Sequence, residues 1–259
     1  MAKRIFQLLL TICLCSSTLW AVNDPFAGKW KLNPSRSKLT DQMKVKVVGP
    51  NKYELNFSGD NVETIVADGT DQPALFDTTL SITVDGPDHW KVVRKTNGHT
   101  TIIGIWELSD GGNTLTDSFT GYHANGSVTN LHYVYKRTAG TSGFPGTWES
   151  TTEQVNSTFE IQIQPYQDAG LSFIYPATEM TKSLNFDGKE YRNSGPNIPQ
   201  GYTSSAHRLN ERTLQITDKI NAKLINTQQI ELSPDHKTLT ITVSTPGQSK
   251  PNIQVFDRE

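Results

Sequence analysis

Cysteine is scarce in this sequence, and its position limits the chemistry that it can support. Both cysteines of the 259-residue chain, Cys13 and Cys15, lie within the first 21 residues. If export processing removes those residues, the mature chain has no disulfide, no thiolate nucleophile and no cysteine-ligated metal. Its folded part must then be stabilised by apolar cores.

Excess charge and long apolar runs are also largely missing. The 24 Lys and Arg residues nearly balance the 26 Asp and Glu residues, so the net charge is -2. That balance provides no general basic surface for nucleic acid. A hydrophobic content of 35% and a mean hydropathy of -0.48 argue against a membrane-spanning protein. The length suits two domains of about 100–150 residues each.

The first 21 residues are the exception to this dilute composition. Lys3 and Arg4 precede the apolar run Ile5–Leu14, and a short stretch then ends at Ala21. This order is typical of a secretory signal peptide, and the run is too short to span a bilayer. A large aliphatic residue precedes each cysteine, which disfavours lipoprotein anchoring. We therefore predict a signal peptide at 1–21 and an exported protein, either periplasmic or extracellular.

The remaining sequence contains an internal repeat. The motif F-x-G-x-W begins at Phe26 and again at Phe144, 118 residues later, and the ten residues from Glu107 match those from Glu231 at six positions. The order of such landmarks is the same in both halves, with small drifts in offset that loop insertions produce. The repeat predicts two homologous domains, 22–137 and 144–259, joined by a linker at 138–143.

Within each repeat the apolar residues alternate with polar ones. Leu239, Ile241 and Val243 share one face of a predicted strand whose other face carries threonines, and Asn-Gly or Asp-Gly pairs suited to tight hairpins separate such segments. We predict an all-β chain with about eight to ten antiparallel strands per domain. Closure into two tandem up-and-down β-barrels would remove the exposed edge strands. A sandwich is the alternative.

The G-x-W motif on a first strand, together with an arginine that ends the last strand, resembles the lipocalins and the wider calycin superfamily. The sequence around Phe26 also resembles that of lipocalin-like proteins secreted by bacteria. This resemblance implies that each tryptophan closes one end of a barrel and that the arginine packs over its ring. The implied pairs are Trp30 with Arg137 and Trp148 with Arg258.

Motifs for catalysis are missing from the sequence. It contains no G-x-S-x-G, H-E-x-x-H, G-x-G-x-x-G or P-loop pattern, and its six histidines are not spaced as metal ligands. We therefore predict no catalytic residue, no metal and no cofactor. We also expect no nucleic-acid partner.

Comparison of the two repeats singles out one carboxyl group. The repeat register places Leu115, Asp117 and Phe119 on the positions of the predicted inward face of the second domain, with Asp117 on the position of Ile241. A buried carboxylate without a partner is costly. Asp117 is therefore a candidate polar group for a ligand, or a proton acceptor. A β-bulge, a hydrated barrel mouth or a salt bridge would also explain it.

Aromatic residues near Asp117 and in the second domain are further candidates for ligand binding, with a purely structural core role as the alternative. These candidates are Trp106, Phe119, Tyr133, Tyr135, Phe173 and Tyr175. Ile103 and Ile105 fall on the predicted outer face of a strand. That position predicts contact with the sister domain or with another subunit, for example in a homo-oligomer.

Together these features predict an exported, tandem lipocalin-like protein that binds a small apolar or amphipathic ligand without catalysis. The alternative is an envelope or extracellular protein-interaction module whose barrels are filled by side chains. An isomerase or cyclase that uses Asp117 as an acid or base is a third hypothesis. It requires a second titratable group facing Asp117.

Overall fold

The fold is all-β, as predicted. The computed structural model describes residues 24–39, 41–58, 61–156, 159–167, 169–196 and 198–259, and the predicted signal peptide lies outside these residues. The described part of the chain contains twenty strands and three 3-10 turns, at Pro34–Arg36, Leu75–Asp77 and Asp110–Gly112.

The strands divide into ten in the first part of the chain and ten in the second. The first ten are β1 (Gly28–Leu32), β2 (Gln42–Gly49), β3 (Lys52–Ser58), β4 (Asn61–Val66), β5 (Gln72–Pro73), β6 (Thr78–Val84), β7 (His89–Thr96), β8 (His99–Ser109), β9 (Thr114–Tyr122) and β10 (Val128–Ala139). The second ten are β11 (Gly146–Asn156), β12 (Glu160–Tyr166), β13 (Gly170–Tyr175), β14 (Met180–Leu184), β15 (Tyr191–Arg192), β16 (Tyr202–Asn210), β17 (Thr213–Ile220), β18 (Lys223–Leu232), β19 (Thr238–Ser244) and β20 (Asn252–Arg258).

These strands form two ten-stranded, antiparallel, nearly closed barrels. The first barrel has the strand order β4-β3-β2-β11-β10-β9-β8-β7-β6-β5. The second has the order β14-β13-β12-β1-β20-β19-β18-β17-β16-β15. The prediction of two tandem antiparallel barrels is therefore confirmed, at the upper end of the expected strand number.

The two G-x-W strands are exchanged between the repeats. In β1, Trp30 lies opposite Ile161 of β12 and Arg258 of β20. In β11, Trp148 lies opposite Arg137 of β10 and Met43 of β2. Each barrel is thus built from the main body of one repeat and the first strand of the other. The predicted pairing of Trp30 with Arg137 and of Trp148 with Arg258 is wrong, because the partners are exchanged.

This exchange changes the role of the predicted linker. Residues 140–145 connect β10 directly to β11, its antiparallel neighbour in the first barrel. The segment 138–143 therefore contributes to a hairpin within one barrel instead of a connection between domains. The chain crosses between barrels after β1 and again between β11 and β12. The ranges 22–137 and 144–259 describe the repeats, whereas the barrels comprise 42–156 and 28–32 with 160–258.

Tryptophan and arginine brace one end of each barrel, as the resemblance implied. The guanidinium carbon of Arg258 lies 4.1 Å from the Trp30 ring centre, and Arg137 lies 4.1 Å from the Trp148 ring. Guanidinium stacking of this kind contributes about 0.5–2 kcal/mol. Each arginine also donates hydrogen bonds to backbone carbonyls of neighbouring turns, for example from Arg137 Nη1 to Pro145 O at 2.7 Å.

The spacing of F-x-G-x-W follows from this arrangement. The indole N–H of Trp30 donates to the carbonyl of Phe26, and that of Trp148 to the carbonyl of Phe144, each at 2.9 Å. Gly28 has φ of +148°, and a Cβ there would lie 2.5 Å from Nη1 of Arg258. The glycine is required because the guanidinium passes directly over it.

Candidate functional site

A cavity of about 370 Å³ lies inside the first barrel. Its apolar wall is formed by the side chains of Phe57, Leu80, Val92, Ile102 and Phe119. Charged groups from four other positions also line it: Asp41, Glu63, Arg94 and Asp117. A volume of this size is within the range of small-molecule sites, which are largely apolar with a few polar groups.

The structure brings the predicted residues of the first repeat together. Asp117, Trp106, Phe119, Tyr133 and Tyr135 all line this cavity. The two candidates from the second repeat, Phe173 and Tyr175, belong instead to the buried core of the second barrel, where they are 0% and 7% exposed. The candidate residues therefore divide between a cavity and a packed core.

Asp117 sits in the middle of a row of inward-facing side chains. In the strand register it lies opposite Trp106 of β8 and Tyr133 of β10. Its Oδ1 atom is shielded from solvent and makes no hydrogen bond of normal geometry, although the carboxyl group interacts with the nearby Trp106 indole N–H. Burial raises the pKa of the Asp117 carboxyl to about 7, and the nearby Asp41 carboxylate adds to this increase, while the Trp106 indole opposes it.

Asp41 provides a second carboxyl group in the same cavity, and sequence reasoning missed it. It immediately precedes β2 and accepts a hydrogen bond of 2.6 Å from the hydroxyl of Tyr135. Burial raises the pKa of Asp41, although the hydrogen bonds from Tyr135 and from the Gln42 backbone partly offset that effect. Burial, together with the Asp41 and Asp117 charges, keeps the pKa of Tyr135 well above its usual value.

A buried ion pair closes the other side of the cavity. Both oxygens of Glu63 accept from the Arg94 guanidinium, at 2.7 and 2.8 Å. The Glu63 side chain is 3% exposed, and it also accepts from the Leu75 backbone N–H at 2.9 Å. The pair joins β4 to β7 across the seam between β4 and β5, where the barrel is not closed by a backbone ladder.

Gly104 creates much of the space around Asp117. It lies opposite Val92 and Phe119 in the register, and a Cβ at this position would lie 3.1 Å from Asp117 Oδ1. In the second barrel, Ile216 is the residue equivalent to Val92. It lies opposite Gln228, just as Val92 lies opposite Gly104. The glycine of the first barrel is therefore a buried glutamine in the second.

The second barrel fills the equivalent space with a polar network around Asp218. Lys182 donates to Asp218 Oδ2 at 2.6 Å and Gln228 donates to the same oxygen at 2.8 Å. Ser204 donates to Oδ1 at 2.5 Å, and Tyr202 adds a bond of 3.2 Å to Oδ2. Ile241 occupies the position of Asp117 in the second barrel and belongs to its buried core. The interior of the second barrel is therefore packed with side chains.

A cleft of about 730 Å³ joins the cavity to the second barrel. Asp41, Ile102, Phe119 and Tyr133 line both the cavity and the cleft. The far wall of the cleft belongs to the second barrel and includes Phe159, Met180, Ile198 and Tyr202. These residues come from the end of each barrel opposite its Trp–Arg pair. The open ends of the two barrels therefore face each other.

Ile103 and Ile105 lie on the outer face of β8, as predicted, and are half-buried there. Their register neighbours are Val93 and Lys91 on β7. The β8 residues that line the cleft between the barrels are Thr101 and Ile102. Contact of Ile103 and Ile105 with a partner remains a prediction.

Two searches of the described residues bear on other kinds of site. Among them, no cluster of three or more His, Cys, Asp or Glu side chains is arranged to hold a metal ion. No helix within the described ranges is long and apolar enough to cross a membrane. In comparisons with known proteins, no protein-family model matches the chain, and no curated protein matches it significantly.

Proposed function

We propose that the first barrel binds a small amphipathic molecule non-covalently, in the cavity beside Asp117. The observation that carries this proposal is an apolar cavity of about 370 Å³ into which a buried carboxyl oxygen without a hydrogen bond of normal geometry is directed. A buried polar atom left without a hydrogen bond costs about 1–3 kcal/mol. A ligand that supplies the missing bond recovers that free energy on binding.

In this proposal the second barrel has a structural task. Its interior is packed around Lys182 and Asp218, and its open end covers the mouth of the first barrel across the cleft. We also propose that the protein is lipocalin-like and exported. Its support is the pair of nearly closed barrels, each braced by tryptophan and arginine, and the signal-like sequence at 1–21. The alternative module with filled barrels fits the second barrel better than the first.

Titration with N-phenyl-1-naphthylamine, a neutral amphipathic fluorophore, tests the binding function. We expect saturable binding to the protein and a loss of at least about tenfold in affinity for Gly104→Gln, which copies the second barrel and fills the cavity. Ser118→Gln adds the same side chain to the exposed outer face of β9 and should leave binding unchanged. Absence of saturable binding, or equal binding by Gly104→Gln, would contradict the proposal.

An acid–base isomerase is a second candidate, because the group that it requires is present. Asp117, with a pKa of about 7, interacts electrostatically with Asp41, which is hydrogen-bonded to Tyr135. Such a site could remove a proton from the substrate carbon next to a carbonyl group and return it to a different carbon of the same substrate. Conversion of 3-cyclohexenone to the conjugated 2-cyclohexenone, followed by ultraviolet absorbance, tests this. A rate equal to that of Asp117→Asn would exclude Asp117 from such a role.

A further inference from the structure

Two hydrogen-bond donors of the cavity, the Tyr135 hydroxyl and the Arg94 guanidinium, are already committed to partners within the protein. The Tyr135 hydroxyl donates to Asp41 at 2.6 Å. The Arg94 guanidinium donates to both oxygens of Glu63 and, at 2.8 Å, to Thr78 Oγ1. A ligand that needs a hydrogen bond from Tyr135 or Arg94 therefore has to displace an existing bond.

Acceptors and negative charge are in excess. Asp117 Oδ1 is shielded from solvent and makes no hydrogen bond of normal geometry. The cavity lining includes the three carboxyl groups of Asp41, Glu63 and Asp117 against one guanidinium, that of Arg94. When all of these groups are ionised, the lining carries two negative charges more than positive ones. A cationic donor would complement this lining.

We propose that the ligand is an amphipathic amine, whose ammonium group donates to Asp117 Oδ1 while its apolar part lies against the cavity wall and points toward the cleft. This inference rests on the binding function proposed above and specifies its substrate class. The apolar part has Phe57, Ile102 and Phe119 as neighbours, and the last two continue into the cleft.

Other head groups satisfy the site less well. A carboxylate would bring a negative charge next to Asp117 and Asp41 and would find the Tyr135 and Arg94 donors committed. An alcohol would donate one neutral hydrogen bond, whereas an ammonium–carboxylate bond is charge-assisted and roughly twice as strong. Because Asp117 Oδ1 is shielded from solvent, the difference between these head groups is larger than at a surface.

The ionisation of Asp117 makes this preference dependent on pH. Its carboxyl group has a pKa of about 7, and an ammonium pairs with the ionised form. Below that value the bound amine must displace a proton, so affinity should fall by about tenfold per pH unit. The other titratable groups that line the cavity from the surrounding strands and loops are Asp41, Glu63, Arg94, Tyr133 and Tyr135.

Among these groups, Asp41 also has a pKa raised by burial, so its titration adds to this profile. Glu63 and Arg94 are held in a bidentate ion pair, and Tyr135 stays protonated because burial and the neighbouring carboxylates raise its pKa further. Substitution of Asp117 therefore separates its contribution from theirs.

Calorimetric titration with octylamine, 1-octanol and octanoate tests the head group, because the three probes share one apolar tail. At pH 8 we expect octylamine to bind about tenfold more tightly than octanol, and octanoate to bind most weakly. Asp117→Asn should remove the preference for octylamine and reduce its pH dependence while keeping octanol binding. Asp117→Ile, which copies the second barrel, provides a second variant should the first fold poorly. Asp110→Asn, an exposed turn residue, is the control.

The outcomes separate this inference from the proposed function. Octanoate binding as tightly as octylamine, or an amine affinity unchanged in Asp117→Asn, would overturn the amine assignment while leaving a binding cavity in place. Failure of all three probes to bind, together with failure of the neutral fluorophore, would overturn both. A steeper loss of octylamine than of octanol between pH 8 and pH 5.5, reduced in both Asp117 variants, is the supporting result.

Discussion

Glu63 and Arg94 form a buried, bidentate ion pair across the seam of the first barrel, and the second barrel has the same pair with the charges exchanged. In the strand register, Glu63 lies opposite Leu55, Leu55 lies opposite Val45, and Val45 lies opposite Gly146. In the second barrel, the same register path leads from Gly28 through Ile163 and Phe173 to Lys182. Lys182 therefore occupies the position of Glu63, and its partner Asp218 occupies the position of Arg94. Both repeats therefore use an ion pair at this seam, although neither residue type is kept.

Removal of one partner should destabilise the first barrel strongly. Arg94→Met leaves the nearly inaccessible Glu63 carboxylate without its counter-charge, and we expect a loss of about 3–5 kcal/mol in the free energy of unfolding. The double variant with Glu63→Met should recover most of this loss, because the unpaired charge is gone. Urea denaturation followed by tryptophan fluorescence measures both changes.

The matched control is on the same strand. Lys95 pairs with Asp71 at 2.6 Å, but both side chains are more than 30% exposed, so Lys95→Met should cost no more than about 1 kcal/mol. A double variant as unstable as Arg94→Met would show that the pair contributes through packing or hydrogen bonds, instead of through charge compensation.

Strand alternation explains why much of the fold and part of the site were predictable. Side chains alternate between the two faces of a strand, so the inward direction of Ile241 fixed that of Asp117 once the repeats were aligned. The same rule placed Trp106 and Phe119 beside it. Asn-Gly and Asp-Gly pairs marked the hairpins, and the predicted number of strands followed from their spacing.

The remaining features depend on contacts that periodicity does not encode. The two first strands share the G-x-W motif, so the motif alone does not indicate which copy pairs with Arg137. Gly104 contributes space by the absence of a side chain, so it leaves no pattern. Glu63 lies in a strand where a polar residue is ordinarily expected on the outer face, and its burial depends on Arg94 from a strand that is distant in sequence.

Cleavage of the hairpin between β10 and β11 tests the exchange of first strands. A protease site inserted between Thr141 and Ser142 would cut the chain into two fragments, yet β11 would stay in the first barrel and β1 in the second. We expect the cut protein to elute as one complex in size-exclusion chromatography and to separate in concentrated guanidinium. Separation without denaturant would mean that each repeat holds its own first strand.

The arginines that brace the barrel ends should not tolerate replacement by lysine. Arg137 stacks on Trp148 and donates to the carbonyls of Gly112, Gly143 and Pro145. An ammonium group lacks the planar fork that makes these bonds together, so Arg137→Lys should lower the free energy of unfolding by about 1–3 kcal/mol. Lys136→Ala, at an exposed neighbour, should change the unfolding midpoint little. Equal midpoints for both variants would contradict this role.

Asp117 should make the stability of the protein fall between about pH 4 and pH 7. The pKa of its carboxyl is near 3.8 when unperturbed and about 7 in the folded chain, so the native state binds the proton more tightly. Stability from this group is therefore fully present below the unfolded pKa and is lost as the pH rises through the folded one, a total on the order of 4 kcal/mol. Asp117→Ile should remove that slope and be more stable than the wild type at pH 8. Parallel urea midpoints for the two proteins from pH 4 to pH 8 would show that the folded carboxyl has an ordinary pKa.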